Sequence, residues 1–373
     1  MVKVKKVETK KELRLFLELP QRIYKDDSAW VPPLLWERRR FFSRQNPFFK
    51  YGEVALFLAY QSREVVGRIS AQLNHLHLAR YGPEGHFGFL EAVEDKEVFE
   101  SLFCAVEEWL SARGMKRILG PFNFSINQEC GLLVKGFDNP PTFLMGHARP
   151  YYATMLEDLG FKKAKDLYAY LMKRHPQTLE RVERLIPKSS KHVRTRTINK
   201  KKLKQELELL FTIFNDAWSE NWGFLPFTRE DYSFFGESLK YLIPEDYVRI
   251  AEVDGETAAF IVVLPDFNEL LADFNGRLLP WGIWKLIYRL KFCPPRRARV
   301  VLMGVLRKYQ RKLLGPLLIL RLIKEIKEVL LARGVETLEL SWILEDNYRM
   351  CRLAEALGAR IYKVYRIYQK ELF

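Results

Sequence analysis

The sequence predicts an α/β chain of the α+β kind, built from two tandem domains that are each a mixed, twisted sheet flanked by helices. Three observations predict it. At 373 residues the chain exceeds the usual span of one core, because chains of this size divide into units of about 100 to 200 residues. One order of segments then occurs twice at matched spacing, which argues for duplication. Finally, Val301 to Phe373 reads as a strand, a loop ending in one glycine, a long helix, a strand and a short helix.

In the first half, IYKDDSAWVPPLLWERRRFF precedes a hairpin-like VALFLAYQSREVVGRISAQLN, a helix-like VFESLFCAVEEWLSARG, a strand KRILGPF and PYYATMLEDLGFKKAKDLYAYLMKR. The second half repeats this order. FNDAWSENWGFLPFTREDYSFF precedes YVRIAEVDGETAAFIVVLPDF, the long helix from Gly315, the strand ETLEL and NYRMCRLAEALGARIYKVYRIYQKEL. Leu159-Gly160 corresponds to Leu357-Gly358, and Tyr168 and Tyr170 to the tyrosines of the last strand. Asp254-Gly255 lies between apolar runs and supplies the positive φ of a two-residue turn. Phe99, Leu102, Phe103, Val106, Trp109 and Leu110 form a core stripe at helical spacing, ending before Gly114. A basic stretch, HPQTLERVERLIPKSSKHVRTRTINKKKLK, joins the halves and sets the boundary near His175, giving domains 1–174 and 175–373.

The loop Gln310, Arg311, Lys312, Leu313, Leu314, Gly315 opens the long helix, where unpaired first-turn amides and the helix dipole favour an anion. This segment resembles the donor half of a GCN5-related N-acetyltransferase (GNAT) fold, whose loop pattern is Q/R-x-x-G-x-G/A. Leu313 stands at the first family glycine and Gly315 at the second. Asn347 matches the family's Asn-led helix, while Ala354 stands where a tyrosine acid is frequent. The resemblance implies acyl-CoA as donor, with Val305 and Leu306 offering backbone groups to pantetheine and the thioester oxygen.

The first copy goes from strand to helix through Glu94, Asp95 and Glu97, acids that repel a pyrophosphate. Its distinctive segment, GPFNFSINQECGLLVKGFDNPPTFLMGHARPYY, gathers Asn123, Ser125, Asn127, Gln128, Glu129, His147 and Tyr151 between glycines and prolines. Nearly the whole chain resembles an uncharacterised bacterial group of tandem GNAT-like proteins related to lipid N-acyltransferases.

Acyl transfer to an amine needs orientation, a donor to the thioester oxygen, a base and an acid. The expected base is Glu129, with His147 second. A carboxylate there needs its pKa raised by burial, and its other reading is a hydrogen-bond anchor for its own loop. Tyr348 is the expected acid for the thiolate. Asn127, Tyr151, Asn221, Trp222 and Phe224 are expected to line the acceptor site.

The formal charge of +15 calls for an anionic partner: CoA phosphates, an anionic membrane surface or nucleic acid. Residues 278–299 mix Trp281, Trp284, Tyr288 and Phe292 with Lys285, Arg289, Lys291, Arg296, Arg297 and Arg299. That pattern suits an interfacial helix and equally a helix covering the second copy's sheet edge. It is too short and too charged to span a bilayer. KHVRTRTINKKKLK is read as a solvated basic face, so nucleic acid is not the expected partner. Four cysteines without metal-ligand spacing, and no signal peptide, place the chain in a reduced cytoplasmic setting, peripheral at the inner membrane face. His75-x-His77 would put two imidazoles on one strand face without a carboxylate or thiol partner, so no metal is expected.

Together these features lead to an acyl-CoA-dependent N-acyltransferase with a lipid-like, sphingoid-type amine acceptor. Two alternatives stay open: a Fem-type transferase using aminoacyl-tRNA, and a non-catalytic acyl-CoA or lipid-binding protein, which Leu313 and Ala354 would fit.

Overall fold

The computed structural model describes residues 1–174, 193–240, 243–278, 281–312 and 314–372. The boundary expected at His175 and the loop residue Leu313 lie outside the described residues. Two compact units interleave along the chain. One holds Met1–Leu167, Leu270–Phe292 and Lys363–Phe373, the other Tyr168–Glu269 and Cys293–Tyr362.

The first unit contains β1 (Val2–Lys6), α1 (Lys10–Ile23), β2 (Gly52–Gln61), β3 (Glu64–Asn74), β4 (Glu84–Ala92), α2 (Lys96–Ser111), β5 (Arg117–Gly120) and α3 (Tyr151–Asp158). The next strand, β6 (Lys162–Lys173), has residues in both units. The second unit contains β7 (Val193–Thr197), α4 (Leu203–Trp218), β8 (Val248–Val253), β9 (Glu256–Pro265), β10 (Arg297–Val305), α5 (Leu314–Ala332), β11 (Thr337–Leu344) and α6 (Tyr348–Ala356). The last strand, β12 (Arg360–Glu371), again has residues in both.

The first sheet runs β1-β2-β3-β4-β5-β12, antiparallel except for the parallel pair β4–β5. The second runs β6-β11-β10-β9-β8-β7, antiparallel from β10 to β7 and parallel between β10 and β11. Each is therefore a mixed sheet with one parallel pair where its long crossover helix, α2 or α5, connects consecutive strands.

Helix α2 buries Val98, Phe99, Leu102, Phe103, Val106 and Leu110, while Trp109 is only partly buried and lies under the Arg113 guanidinium. Helix α5 buries Leu318, Leu322, Ile326 and Leu330, spaced four apart so that one face meets the sheet. The shared ancestry of the two units is written in their caps. Both α3 and α6 end on a leucine followed by Gly160 or Gly358, at φ +83 and +85. In each the next residue's N–H returns to the helix, from Phe161 to Leu156 and from Ala359 to Ala354. That left-handed step is what glycine permits without a Cβ penalty.

His75 and His77 begin a short helix rather than sharing a strand, because Asn74 ends β3 and caps the backbone N–H groups of Leu76 and His77. The His77 ring meets Glu84 at 2.8 Å.

Beside the first sheet, Phe124 is completely buried, its ring 4.9–5.4 Å from those of Phe41, Phe42, Phe48, Phe49 and Phe89. Phe124→Ala removes all five contacts at once and is expected to lower unfolding stability by about 3–5 kcal/mol. Chemical denaturation checks it, and a loss below about 1 kcal/mol would show that this cluster is not the local core.

Candidate functional site

The second unit opens where β10 and β11 part. They pair in parallel only from Arg297 with Thr337 to Val300 with Leu340. The cause is a bulge in β10. Val300 opposes Val263 and Leu302 opposes Val262, so Val301 is an extra residue that bends the strand. Beyond it Val301, Leu302 and Met303 are only partly buried, although the neighbouring β9 is buried from Ala258 to Pro265.

Strand phase decides what the opening presents. The Leu306 N–H donates 2.9 Å to the Ala258 carbonyl, so the peptide groups of Val305 and Met303, on the alternate phase, face away from β9. The Met303 carbonyl accepts from the Trp218 indole at 2.9 Å, and the Val305 carbonyl from the Gln310 amide at 2.7 Å. Val305 is thus the strand donor on the open side, and Leu306 is not. Trp218, from the end of α4, meets Trp342 of β11 edge-on at 5.8 Å. Two indoles bracket the gap.

At its apex lies a buried polar cluster. Arg299 and Glu339 oppose each other across β10 and β11, and with Ser341 they are 1–6% exposed. The Arg299 Nε donates to Ser341 at 2.7 Å, Ser341 and Tyr362 both donate to the Glu339 carboxylate, and Arg299 stands 3.7 Å from it.

The loop beyond β10 departs from the amide cradle expected of it. The Gly315 N–H donates to the Lys312 carbonyl at 3.1 Å, and Pro316 has no N–H. Gln310 donates to Val305 and Ala217, so it fastens the loop to the strand and α4. Arg311 and Lys312 are exposed, leaving their side-chain charges to face an anion, and Leu314 is partly buried.

Parting recurs in the first unit. β4 and β5 pair only from Glu84 with Arg117 to His86 with Leu119, with a register break beyond. This gap is filled by the chain itself. Phe122–Asn123 and Glu129–Cys130 form a small ladder. The Asn123 amide accepts from the Phe89 N–H at 2.7 Å and donates to Glu129 at 2.9 Å, and Arg38 pairs with the same carboxylate. Burial pushes Glu129 up, but Arg38 and Asn123 outweigh it and hold the carboxyl below its usual range. Asp95 caps α2 through the Glu97 N–H, so that helix start carries its own carboxylate.

His147 lies elsewhere in this unit, its ring 2.9 Å from Asp27 and its pKa lowered by burial. Asn127 sits in the turn after Ser125. Tyr151 donates to the Ala92 carbonyl at 2.7 Å and lines a hollow of about 630 Å³ with Leu19, Arg22, Ile23 and Arg149. In the second unit Asn221 and Phe224 close a turn, with Phe224 in the core beside α4 and Trp222 partly buried. Asn347 caps α6 through the Met350 N–H, and Tyr348 is 68% exposed.

Trp218, Glu339, Ser341, Trp342 and Tyr362 are not singled out from the sequence, and Arg299, expected among the basic residues of an interfacial segment, is instead buried on β10. A signal exists for some of them. Arg299, Glu339 and Ser341 are polar residues spaced by two inside otherwise apolar strands, which is costly unless they meet.

The helix Gly282–Phe292 buries none of its residues, so it does not cover a sheet edge, and it belongs to the first unit. Among the described residues no helix is long and apolar enough to cross a membrane.

The model of the acetyltransferase (GNAT) family matches residues 207–359. The chain is 43% identical to Protein YghO of Escherichia coli, over 97% of this chain and 94% of that protein. It is 42% identical to a protein named bacterial ceramide synthase from Caulobacter vibrioides, over 98% and 96%. Among solved structures, a tandem GNAT protein from the clavulanic acid biosynthesis pathway aligns with TM-score 0.60 at 13% identity, covering 100% of this chain and 99% of that one. A GCN5-related N-acetyltransferase from Sphaerobacter thermophilus aligns at 0.55 and 12%, covering 100% and 96%.

A Cβ on Gly315 would lie 2.7 Å from the Tyr309 carbonyl oxygen, so backbone has to give way. Gly315→Ala is expected to cost about 1–3 kcal/mol and to speed amide hydrogen exchange at the start of α5. Unchanged exchange there would show that the loop does not depend on this close approach.

Proposed function

Since the chain belongs to the GNAT family and is an N-acyltransferase of tandem-GNAT architecture, we propose that it takes acyl-CoA as donor and a long-chain, sphingoid-type amine as acceptor. The observation that carries the proposal is the parted pair β10–β11, with the Val305 N–H facing the gap and two indoles across it. A thioester laid along β10 would receive that N–H at its carbonyl oxygen, a donor aimed at the developing oxyanion. Exposed Arg311 and Lys312 would meet the CoA phosphates. Trp218, Trp342 and Met303 offer apolar surface on which a hydrocarbon chain gains about 25 cal/mol per Å² buried. The name of the Caulobacter relative supports a ceramide-like product.

The acceptor class also gives a use to the helix Gly282–Phe292. Trp281, Trp284, Ile287, Tyr288 and Phe292 are 51–78% exposed. Asp273 holds Lys285 at 2.6 Å and Arg289 at 2.6 Å, which fastens the helix while its aromatic side stays open. Rings at headgroup depth with cations beside them fit an anionic membrane surface, from which a lipid amine would be drawn. Asn127, Tyr151, Glu129 and His147 lie in the first unit. Their reading here is structural support of that unit, while Tyr348 remains the proposed acid for the departing thiolate.

Calorimetry with CoA, acetyl-CoA and palmitoyl-CoA, followed by thiol release from palmitoyl-CoA with sphinganine, tests the reading. Palmitoyl-CoA should bind at least tenfold more tightly than acetyl-CoA, and sphinganine should be acylated. Equal binding of both thioesters would sink the long-chain donor, and turnover confined to small amines would sink the lipid acceptor. In a separate flotation assay, the chain should rise with vesicles containing phosphatidylglycerol and not with phosphatidylcholine alone. Trp281→Ala with Trp284→Ala should weaken that association at least tenfold, and equal flotation would remove the membrane contact.

A further inference from the structure

We propose that Tyr362 and Glu339 form a proton relay for the amine, with Arg299 and Ser341 as positioning residues; this rests on the transferase reading of the parted strands above. Ala298 and Leu338 are buried in the core beneath α5. Strand alternation therefore sends Arg299, Glu339 and Ser341 to the opposite face, one residue either side of the last paired position, Val300 with Leu340. The Glu339 carboxylate is 1% exposed and accepts from both Ser341 and Tyr362, with Arg299 beside it. Tyr362 is only partly buried. It is the member of the cluster that is not buried, and its hydroxyl donates to the buried carboxylate.

A structural reading of the same cluster meets a difficulty. Burying an Arg–Glu pair costs desolvation that apolar residues of similar size avoid. The first unit supplies the control, because at the matching register its parted strands carry His86 and Leu119. His86 is buried without a hydrogen-bond partner, and burial holds its pKa well below the usual histidine range, so it stays neutral. At that register the first unit has no charge pair across its two strands, its Arg38–Glu129 pair fastening the segment that fills the gap, whereas the second unit carries one on the strands themselves, where the reaction is placed.

Atoms and charges balance across the step. The acceptor reaches the gap as a neutral amine after its ammonium form gives one proton to water. Its nitrogen lone pair attacks the thioester carbon, forming the C–N bond. The excess N–H proton passes to the Tyr362 oxygen as the tyrosine's own proton moves to Glu339. The C–S bond breaks, the thiolate takes the proton of the proposed acid Tyr348, the proton on Glu339 leaves through Tyr362 to water, and Tyr348 regains one from water, so that an amide, a thiol and the starting side chains remain. Tyr362 touches the reacting nitrogen; Glu339 acts through it.

The test measures kcat and KM for thiol release from palmitoyl-CoA, with sphinganine, ethanolamine and the weakly basic hydroxylamine as acceptors, in wild type, Tyr362→Phe, Glu339→Gln and Glu339→Asp. Tyr362→Phe and Glu339→Gln should each lower kcat about 10²–10⁴-fold, with palmitoyl-CoA affinity unchanged by calorimetry. The kcat lost in Glu339→Gln should be recovered in part by Glu339→Asp, which keeps a carboxylate. The double variant should be no slower than the worse single one. Rates within about threefold of wild type, no recovery of kcat in Glu339→Asp over Glu339→Gln, or loss confined to KM would overturn the relay while leaving the transferase reading intact. Absence of wild-type turnover on every amine would overturn both, and activity on ethanolamine without sphinganine would overturn only the lipid acceptor while the relay is read on ethanolamine. If Glu339→Gln fails to fold, Tyr362→Phe, which keeps ring and packing, decides by the same criteria.

Discussion

One extra residue in one strand governs the second unit. A parallel pair normally continues as long as both strands stay in phase, because every step adds a hydrogen bond. Val301 breaks the phase between β9 and β10, and the bend it introduces carries β10 away from β11 after Val300. The polar groups around the gap all depend on that separation. Met303 and Val305 turn peptide groups toward a gap instead of a neighbour, Gln310 and Trp218 reach in to satisfy the two carbonyls, and the Val305 N–H is left toward the gap. A groove in the middle of a sheet is otherwise hard to build, since unpaired backbone there would be buried at a cost of about 1–3 kcal/mol per group. Parting the strands exposes those groups to solvent or ligand instead.

The first unit meets the same constraint and answers it differently. Its parted strands would leave the Phe89 N–H unpaired, and the Asn123 side chain takes it. Asn123 is held by Glu129 of the same segment, and Glu129 by Arg38 from a separate helix, so polar side chains of this unit fill its gap. The segment's density of Asn, Gln and Glu is the composition such a plug requires, because each polar group brought in must find a partner. The two units thus part their strands at matching places, one gap filled by the unit's own polar segment and the other bracketed by two indoles.

Much of this is legible in the sequence because it depends on local rules. The repeat, the stripe on α2, the Asp254-Gly255 turn and the two Leu-Gly helix ends all come from spacing, and the turn has both central residues at positive φ as anticipated. Less legible are the features set by partners remote in sequence. Glu129 reads equally well as a base or as an anchor until Arg38, 91 residues away, is seen beside it. The cluster of Arg299, Glu339 and Tyr362 joins residues 40 and 23 positions apart, which periodicity does not connect. The interleaving of the units through β6 and β12 is hidden for a related reason. A strand that leaves one core for another has the same apolar alternation as one that stays.

The loop before α5 shows how a family pattern can keep its place while changing its physics. With glycine at both positions, such a loop offers an anion several N–H groups at fixed geometry. Here Pro316 has no N–H and the Lys312 carbonyl engages that of Gly315, while the side chains of Arg311 and Lys312 bring exposed charge on flexible stems. Attraction of that kind is long-ranged and weakly directional, and it falls as salt shortens the Debye length from about 10 Å at 0.1 M. Backbone donors in a nest discriminate by shape and feel salt less. In the proposed function a donor met there by side-chain cations would draw its specificity from its other end, where a hydrocarbon chain could bury area against Trp218, Met303 and Trp342. Under the proposed function, cations at one end and aromatic surface at the other would together favour a donor with a long apolar tail over one with a short acyl group.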